Sequence, residues 1–221
     1  MKVHDRIFNA LQADDESRPE LLAQHALSAG RTEDAIKYWE MAGDNSRIRA
    51  AFHEACGQYE RTIECFESLD NSTELVSRKL DVVVKMASAS MTGFGYAHPT
   101  TVKANTVARK LLDDVKKSPH RFPILYGSWV KDHVGGNVAH SMVDSEEMCR
   151  EADRSDDRVK NLIAYRVRGA TNVVCANHDR ADTDFERVLS IYDEDQDSEL
   201  VNSYANDPGI GARVYWAISL L

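Results

Sequence analysis

Two stretches decide how this chain folds: GRTEDAIKYWEMAG at 30–43 and GQYERTIECFESLD at 57–70. They align at an offset of 27 residues, with Gly30 on Gly57, Ala35 on Thr62, Ile36 on Ile63, Trp39 on Phe66 and Ala42 on Leu69. Each is a glycine followed by small or apolar residues at +2, +5, +6, +9 and +12. Residues three and four apart share one face of an α-helix, so this comb predicts a glycine turn feeding an amphipathic helix.

Weaker copies lie downstream. Gly136 is followed by Val138, Ser141, Met142, Ser145 and Met148, and Ala176 by His178, Ala181, Phe185 and Val188, with Asp182 where the comb wants an aliphatic residue. These two copies are 40 residues apart, so the period is irregular. Upstream, Ser17-Arg18-Pro19-Glu20 reads as a capping box with proline in the first turn. Leu21, Leu22, His25 and Ala26 then line one helix face that ends at Gly30, where a left-handed residue is expected. A helix, a turn and a second helix cannot bury their apolar faces alone, but stacked hairpins can.

The rest of the chain fits that plan. Helices are expected over 75–91, 101–117 (with Lys116-Lys117 at its C-terminal end), 122–134, 158–176 and 183–192, and Asp207 with Pro208 opens a last one. The breaker-rich segment Met91–Pro99 is the expected boundary between residues 1–92 and residues 93–221, both built of helical repeats. The expected fold is all-α, an α-solenoid of stacked antiparallel helical hairpins with about 11 to 13 helices.

Composition agrees. Among 221 residues there are only 11 Gly and 5 Pro, which disfavours a turn-rich β fold, and 43% hydrophobic residues, too many for a disordered chain. The 27 Lys+Arg against 36 Asp+Glu give a net charge of −9, which repels nucleic acid and anionic membranes. The longest aliphatic run, Val82-Val83-Val84, stops at Lys85, far short of the roughly 20 residues of a membrane span. The N-terminal MKVHDRIFNALQADDES has no apolar core of a secretory signal. Cys56, Cys65, Cys149 and Cys175 are irregularly spaced with no CxxC, as expected of reduced thiols in the cytoplasm.

The chemistry-bearing groups each have a plainer reading. His53-x-x-Cys56 with Cys65 offers too few ligands for structural zinc, and His133, His140 and Cys149 do no better. His140, Asp144 and Ser145 lack the geometry of a nucleophile with its base, and Ser145 is a comb residue. Asp113-Asp114, Glu146-Glu147 and Asp156-Asp157 point apart on a helix and read as solvated. Asp193-Glu194-Asp195-Gln196-Asp197 lacks the glycine and final glutamate of a calcium loop and reads as a solvated inter-helix loop. Gly209-Ile210-Gly211 and Gly93-Phe94-Gly95-Tyr96 lack the strand and lysine of a phosphate loop. Trp39, Trp129 and Trp216 read as core rather than partner anchors. No catalytic, cofactor-binding or metal-ligating residue is expected.

The comb, with a small residue at Ala35 and a ring at Trp39, resembles the tetratricopeptide repeat. RPELLAQHALSAGRTEDAIKYWEMAG (18–43), GYAHPTTVKANTVARKL (95–111) and NDPGIGARVYWAISLL (206–221) resemble, in this order, parts of the C-terminal repeat region of bacterial multidomain regulators. In those proteins a class III adenylate/guanylate cyclase domain and a P-loop ATPase precede the repeats. The resemblance implies a tetratricopeptide-like stack with a place in bacterial signalling. This chain carries no GxxxxGK[ST] and no cyclase segment, so neither activity is carried over. The expected function is a non-catalytic scaffold for protein–protein or interdomain interaction. The alternatives are a regulatory arm of a cyclase or ATPase system encoded nearby, or a degenerate remnant of such a protein. The expected partner is a protein or peptide, with no nucleic acid and no membrane. Self-association through the last helix is also expected, because its apolar face (Val214, Tyr215, Ala217, Ile218, Leu220, Leu221) has no following helix, as in a chain cut short.

Overall fold

The computed structural model describes residues 2–13, 18–70, 72–115, 118–202, 204 and 206–220. In chain order these form α1 (Lys2–Gln12), α2 (Pro19–Ser28), α3 (Thr32–Ile48), α4 (Phe52–Glu67), α5 (Thr73–Phe94) and α6 (Pro99–Asp114). Then come α7 (Arg121–Val134), α8 (Val138–Ala152), α9 (Arg158–Val174), α10 (His178–Ile191), the short α11 (Glu194–Asp197), a 3-10 segment (Ser198–Asn202) and α12 (Pro208–Ser219). The fold is an all-α helical-repeat fold with consecutive helices packed on one another, and no strand occurs among the described residues. It divides into two compact units, Met1–His120 and Arg121–Leu221.

Four turns share one backbone design. Gly30, Ala50, Gly136 and Ala176 are left-handed, at φ 80°, 58°, 76° and 56°. The amide of the next residue reaches back to the carbonyl five positions earlier: Arg31 to Ala26 at 2.9 Å, Ala51 to Ser46 at 2.9 Å, Asn137 to Asp132 at 2.8 Å and Asn177 to Asn172 at 2.9 Å. The turn residue's own amide bonds three back, completing a Schellman motif. Two residues later a new helix starts, at Thr32, Phe52, Val138 and His178.

This corrects the repeat register. Gly57 is no turn: it lies inside α4 and is exposed. The counterpart of Gly30 is Ala50, 20 residues on rather than 27. In that register the comb is stricter than the sequence alignment suggests. The +5 residues (Ala35, Ala55, Ser141, Ala181), the +9 residues (Trp39, Tyr59, Ser145, Phe185) and the +12 residues (Ala42, Thr62, Met148, Val188) are all buried. Small residues at +5 let each helix approach its predecessor, and Trp39, Tyr59 and Phe185 at +9 with Met148 and Val188 at +12 fill the seam. Gly43 and Gly169 extend the logic, each lying seven residues before a left-handed alanine. A methyl at Gly169 would sit 2.5 Å from the Phe185 ring, and one at Gly43 would overlap the Tyr59 ring.

The boundary falls elsewhere than 92/93. α5 continues through Met91 to Phe94, Gly95 (φ 86°) ends it, and His98 caps α6 by accepting the Thr100 amide at 3.2 Å. Thr101 donates to the Gly95 carbonyl at 2.9 Å, and Val82, Met86 and Ala89 of α5 share one core with Ala104 of α6. The segment is therefore a tight turn inside the first unit. Ser17 and Lys116-Lys117 lie outside the described residues; Arg18 takes the N-cap of α2 without a side-chain bond, and Pro19 follows as expected. α1 has no counterpart in the comb. It is held by Phe8, fully buried edge-on against Tyr38 at 5.8 Å, with the Arg31 guanidinium 4.2 Å from its ring.

In the second unit α12 does not simply continue the stack. It packs on both α9 and α10, burying Pro208, Gly209, Gly211 and Ala212. Asp207 caps it, accepting the Ile210 amide at 2.7 Å and the Tyr192 hydroxyl at 2.8 Å. Ile210, Val214, Ala217, Ile218 and Leu220 remain exposed, while Tyr215 and Trp216 are half-buried.

Candidate functional site

Several of the groups that could do chemistry are held in structural roles. His53 is exposed beside the Phe94 ring, whereas Cys56 and Cys65 are buried. Burial pushes the Cys56 thiol up to about 11 and the Cys149 thiol to about 12, and raises Cys65 as well. All four cysteines are free thiols, and only Cys175 is less than fully buried. Ser145 donates to the Met142 carbonyl at 2.9 Å, and His140 is exposed with Nδ1 2.8 Å from the Asn137 amide, so Ser145 and His140 do not meet as nucleophile and base. Among the described residues no group of three or more His, Cys, Asp or Glu is arranged to hold a metal ion. No described helix is long and apolar enough to cross a membrane.

The acidic run 193–197 corrects its reading as a solvated loop. Asp193 caps α11, and Asp197 is only 1% exposed. Both oxygens of Asp197 take the Arg158 guanidinium at 2.7 Å, and Asp197 also accepts the Asp193 amide at 2.9 Å. The Arg158 hydrogen bond, outweighing the burial that opposes it, holds the Asp197 carboxyl below the usual carboxylate range. Glu146 and Glu147 are likewise paired, with Arg168 and Arg180 and with Arg121 respectively. Asp157 caps α9, while Asp113 and Asp114 are exposed. The glycines of 209–211 answer to packing: a methyl at Gly209 would strike the Tyr192 ring at 2.6 Å. Trp39 and Trp129 are buried as expected; Trp216 is half-buried beside Phe185, their centroids 6.4 Å apart.

Two side-chain arrangements were not legible in the sequence. In the first unit, Lys85 of α5 reaches Glu40 and Asp44 of α3, each at 2.7 Å, and Asp44 also accepts the Tyr59 hydroxyl of α4 at 2.7 Å. In the second, Arg166 is 1% exposed, with its guanidinium 6.0 Å and 5.8 Å from the Tyr126 and Trp129 ring centres and 3.5 Å from the Tyr126 hydroxyl. No carboxylate among the described residues forms an ion pair with it. His133 stacks on Trp129 at 4.6 Å, with Nε2 3.3 Å from the Tyr215 hydroxyl. Burial first, and the Arg166 charge second, lower the His133 pKa. These rings accept a cation by packing and polarisation.

The first unit also presents a cleft of about 220 Å³ on the surface formed by α4, α5 and α6. Its apolar lining is Ile63 of α4, Val83 and Met86 of α5, and Ala104 and Val107 of α6. Its rim is charged. Glu60, Glu64 and Glu67 project from one face of α4, opposite Lys103 of α6 and Lys79 of α5. Lys103 pairs with Glu60 at 2.7 Å and Lys79 with Glu67 at 3.4 Å. Glu64, between them, is exposed and in no ion pair among the described residues. A second depression of about 500 Å³, lined by Thr73, Val76, Leu111 and Asp114, adjoins the first at Lys79. Three helices of separate sequence segments make this surface, so no single motif announces it.

No family model matches this sequence, and no curated protein sequence matches it.

Proposed function

We propose that the chain is a non-catalytic helical-repeat scaffold that holds a protein or peptide segment. One observation carries this reading: an apolar-floored cleft with a charged rim stands on the α4–α6 surface, while Ser145 and Asp197, two of the groups that could do chemistry, are committed to a helix carbonyl and an ion pair. A cleft of about 220 Å³ is smaller than the roughly 300–1,000 Å³ of ordinary small-molecule sites. It is the size for a single large side chain, since an apolar cavity of about 150 Å³ takes up benzene. A place in bacterial signalling, as the regulatory arm of a cyclase or ATPase system, rests on the three ordered sequence segments alone, and a cytoplasmic location on the irregularly spaced, free cysteines. The degenerate-remnant reading rests on the same segments.

The test is to assay the purified chain with nucleoside triphosphates and divalent cations, and then mixed with a class III cyclase. The expected result is no turnover by the chain itself, with a change in the cyclase's rate or affinity if the regulatory reading holds. Robust metal- or nucleotide-dependent turnover by the chain would overturn the non-catalytic reading. Self-association through α12 is a second part of the proposal, favoured by the exposed stripe Ile210, Val214 and Ile218 at i, i+4 and i+8. A two-fold pairing of this helix with its own copy would cover that stripe. A concentration-independent monomer in sedimentation, unaltered by Val214→Glu, would exclude it.

A further inference from the structure

We propose that the α4–α6 cleft takes a linear segment of a partner protein that presents one large apolar side chain with a basic residue beside it. The inference rests on the scaffold reading above and adds the chemistry of the occupant. The accessible apolar floor, Ile63 and Val107 over the buried Val83 and Met86, can desolvate only an apolar group, and its volume of about 220 Å³ suits one such side chain. The rim sets the charge. Three carboxylates on one face of α4 meet two lysines; Glu64, in no ion pair of its own, shares the Lys103 charge with Glu60 and Glu67, so the row is one positive charge short.

A cation placed beside the apolar anchor would complete that row, whereas an acidic segment would add to its excess of carboxylates. The bridges do not seal the cleft. The Lys103–Glu60 pair is exposed on both sides (65% and 46%), and such pairs hold weakly and open readily to an incoming charge. The neighbouring depression past Lys79, floored by Val76 and Leu111, gives the segment a direction to continue along α5 and α6. A lipid or nucleic-acid occupant is disfavoured by the same acidic rim.

The experiment is a selection of random heptapeptides against the full chain. The enriched peptides are then titrated against the wild type, Glu64→Lys and Val107→Trp, with far-UV spectra confirming that both variants fold. Glu64 is exposed and Val107 only half-buried, so neither change empties the core. The expected result is enrichment of an aliphatic or aromatic residue adjacent to Lys or Arg, with affinity falling at least tenfold in Glu64→Lys and also in Val107→Trp, and weakening with salt. Enriched peptides that bind both variants as tightly as the wild type, or that are acidic, would overturn the cleft assignment and leave the scaffold reading standing. Enrichment of no peptide at all would overturn both.

Discussion

Gly43 and Gly57 sit in adjacent helices and do opposite things. Gly57 is exposed inside α4 with nothing within 4 Å of where a Cβ would stand. It only weakens its helix, so Gly57→Ala should stabilise the protein by about 0.5–1 kcal/mol. Gly43 offers the same helical gain but faces the buried Tyr59 ring, and overpacking a closed core costs about 1–3 kcal/mol. The clash wins, so Gly43→Ala should destabilise, and urea unfolding of the two variants reads the opposite signs. Thiol chemistry tests burial at the same scale. A disulfide reagent at neutral pH should label Cys175 quickly in the folded chain, and Cys56, Cys65 and Cys149 only on unfolding, because their raised pKa leaves little thiolate. Labelling of more than one thiol in the native state would contradict these packing assignments.

At the scale of the helix and its turn, the recurring unit is a left-handed residue, a helix start two residues on, and buried positions at +5, +9 and +12. Alanine in that left-handed position costs about 1 kcal/mol or more that glycine avoids. Ala50→Gly and Ala176→Gly should therefore be neutral to stabilising, by up to about 1 kcal/mol, and Gly30→Ala destabilising by about as much. Thermal unfolding of the three variants gives the signs; a marked loss in either glycine variant would argue against the left-handed turn. The same physics explains what the sequence could and could not reveal. The comb was legible because burial on one helix face leaves a periodic trace, and Gly30, Gly136, Asp207 and Pro208 mark their helix ends directly. The second turn was not, because an alanine held left-handed by its Schellman bonds looks like any other alanine, while Gly57 offered a decoy seven residues on. The bidentate Arg158–Asp197 pair and the α4–α6 cleft escaped because their members come together only through packing.

For the molecule as a whole, charge is unevenly shared. The first unit has 16 basic against 18 acidic residues, a net of −2; the second has 11 against 18, a net of −7. The groups whose shifts favour the fold at neutral over acid pH lie in the second unit. His133 has a lowered pKa, so below about 6.5 the unfolded chain takes up its proton first, and stability falls as pH drops towards the folded value. Asp153, held by Tyr165, and Asp197, held by Arg158, are also lowered. Their stabilisation is present above about 4 and is lost as pH falls through the folded values. Followed by the fluorescence of Trp129 and Trp216 in a Trp39→Phe background, the second unit should weaken in two stages. The first stage should vanish in His133→Phe, whereas a flat profile from pH 7 to 5 in the parent would contradict the placement of His133.

Amide hydrogen exchange of the full chain, alone and with a selected basic–apolar peptide, tests the helical-repeat scaffold most directly. The expected result is slow exchange at Gly57 and at the +5, +9 and +12 residues of the free chain, with peptide-induced protection confined to α4, α5 and α6. Loop-rate exchange at Gly57, or protection that falls outside those three helices, would contradict it.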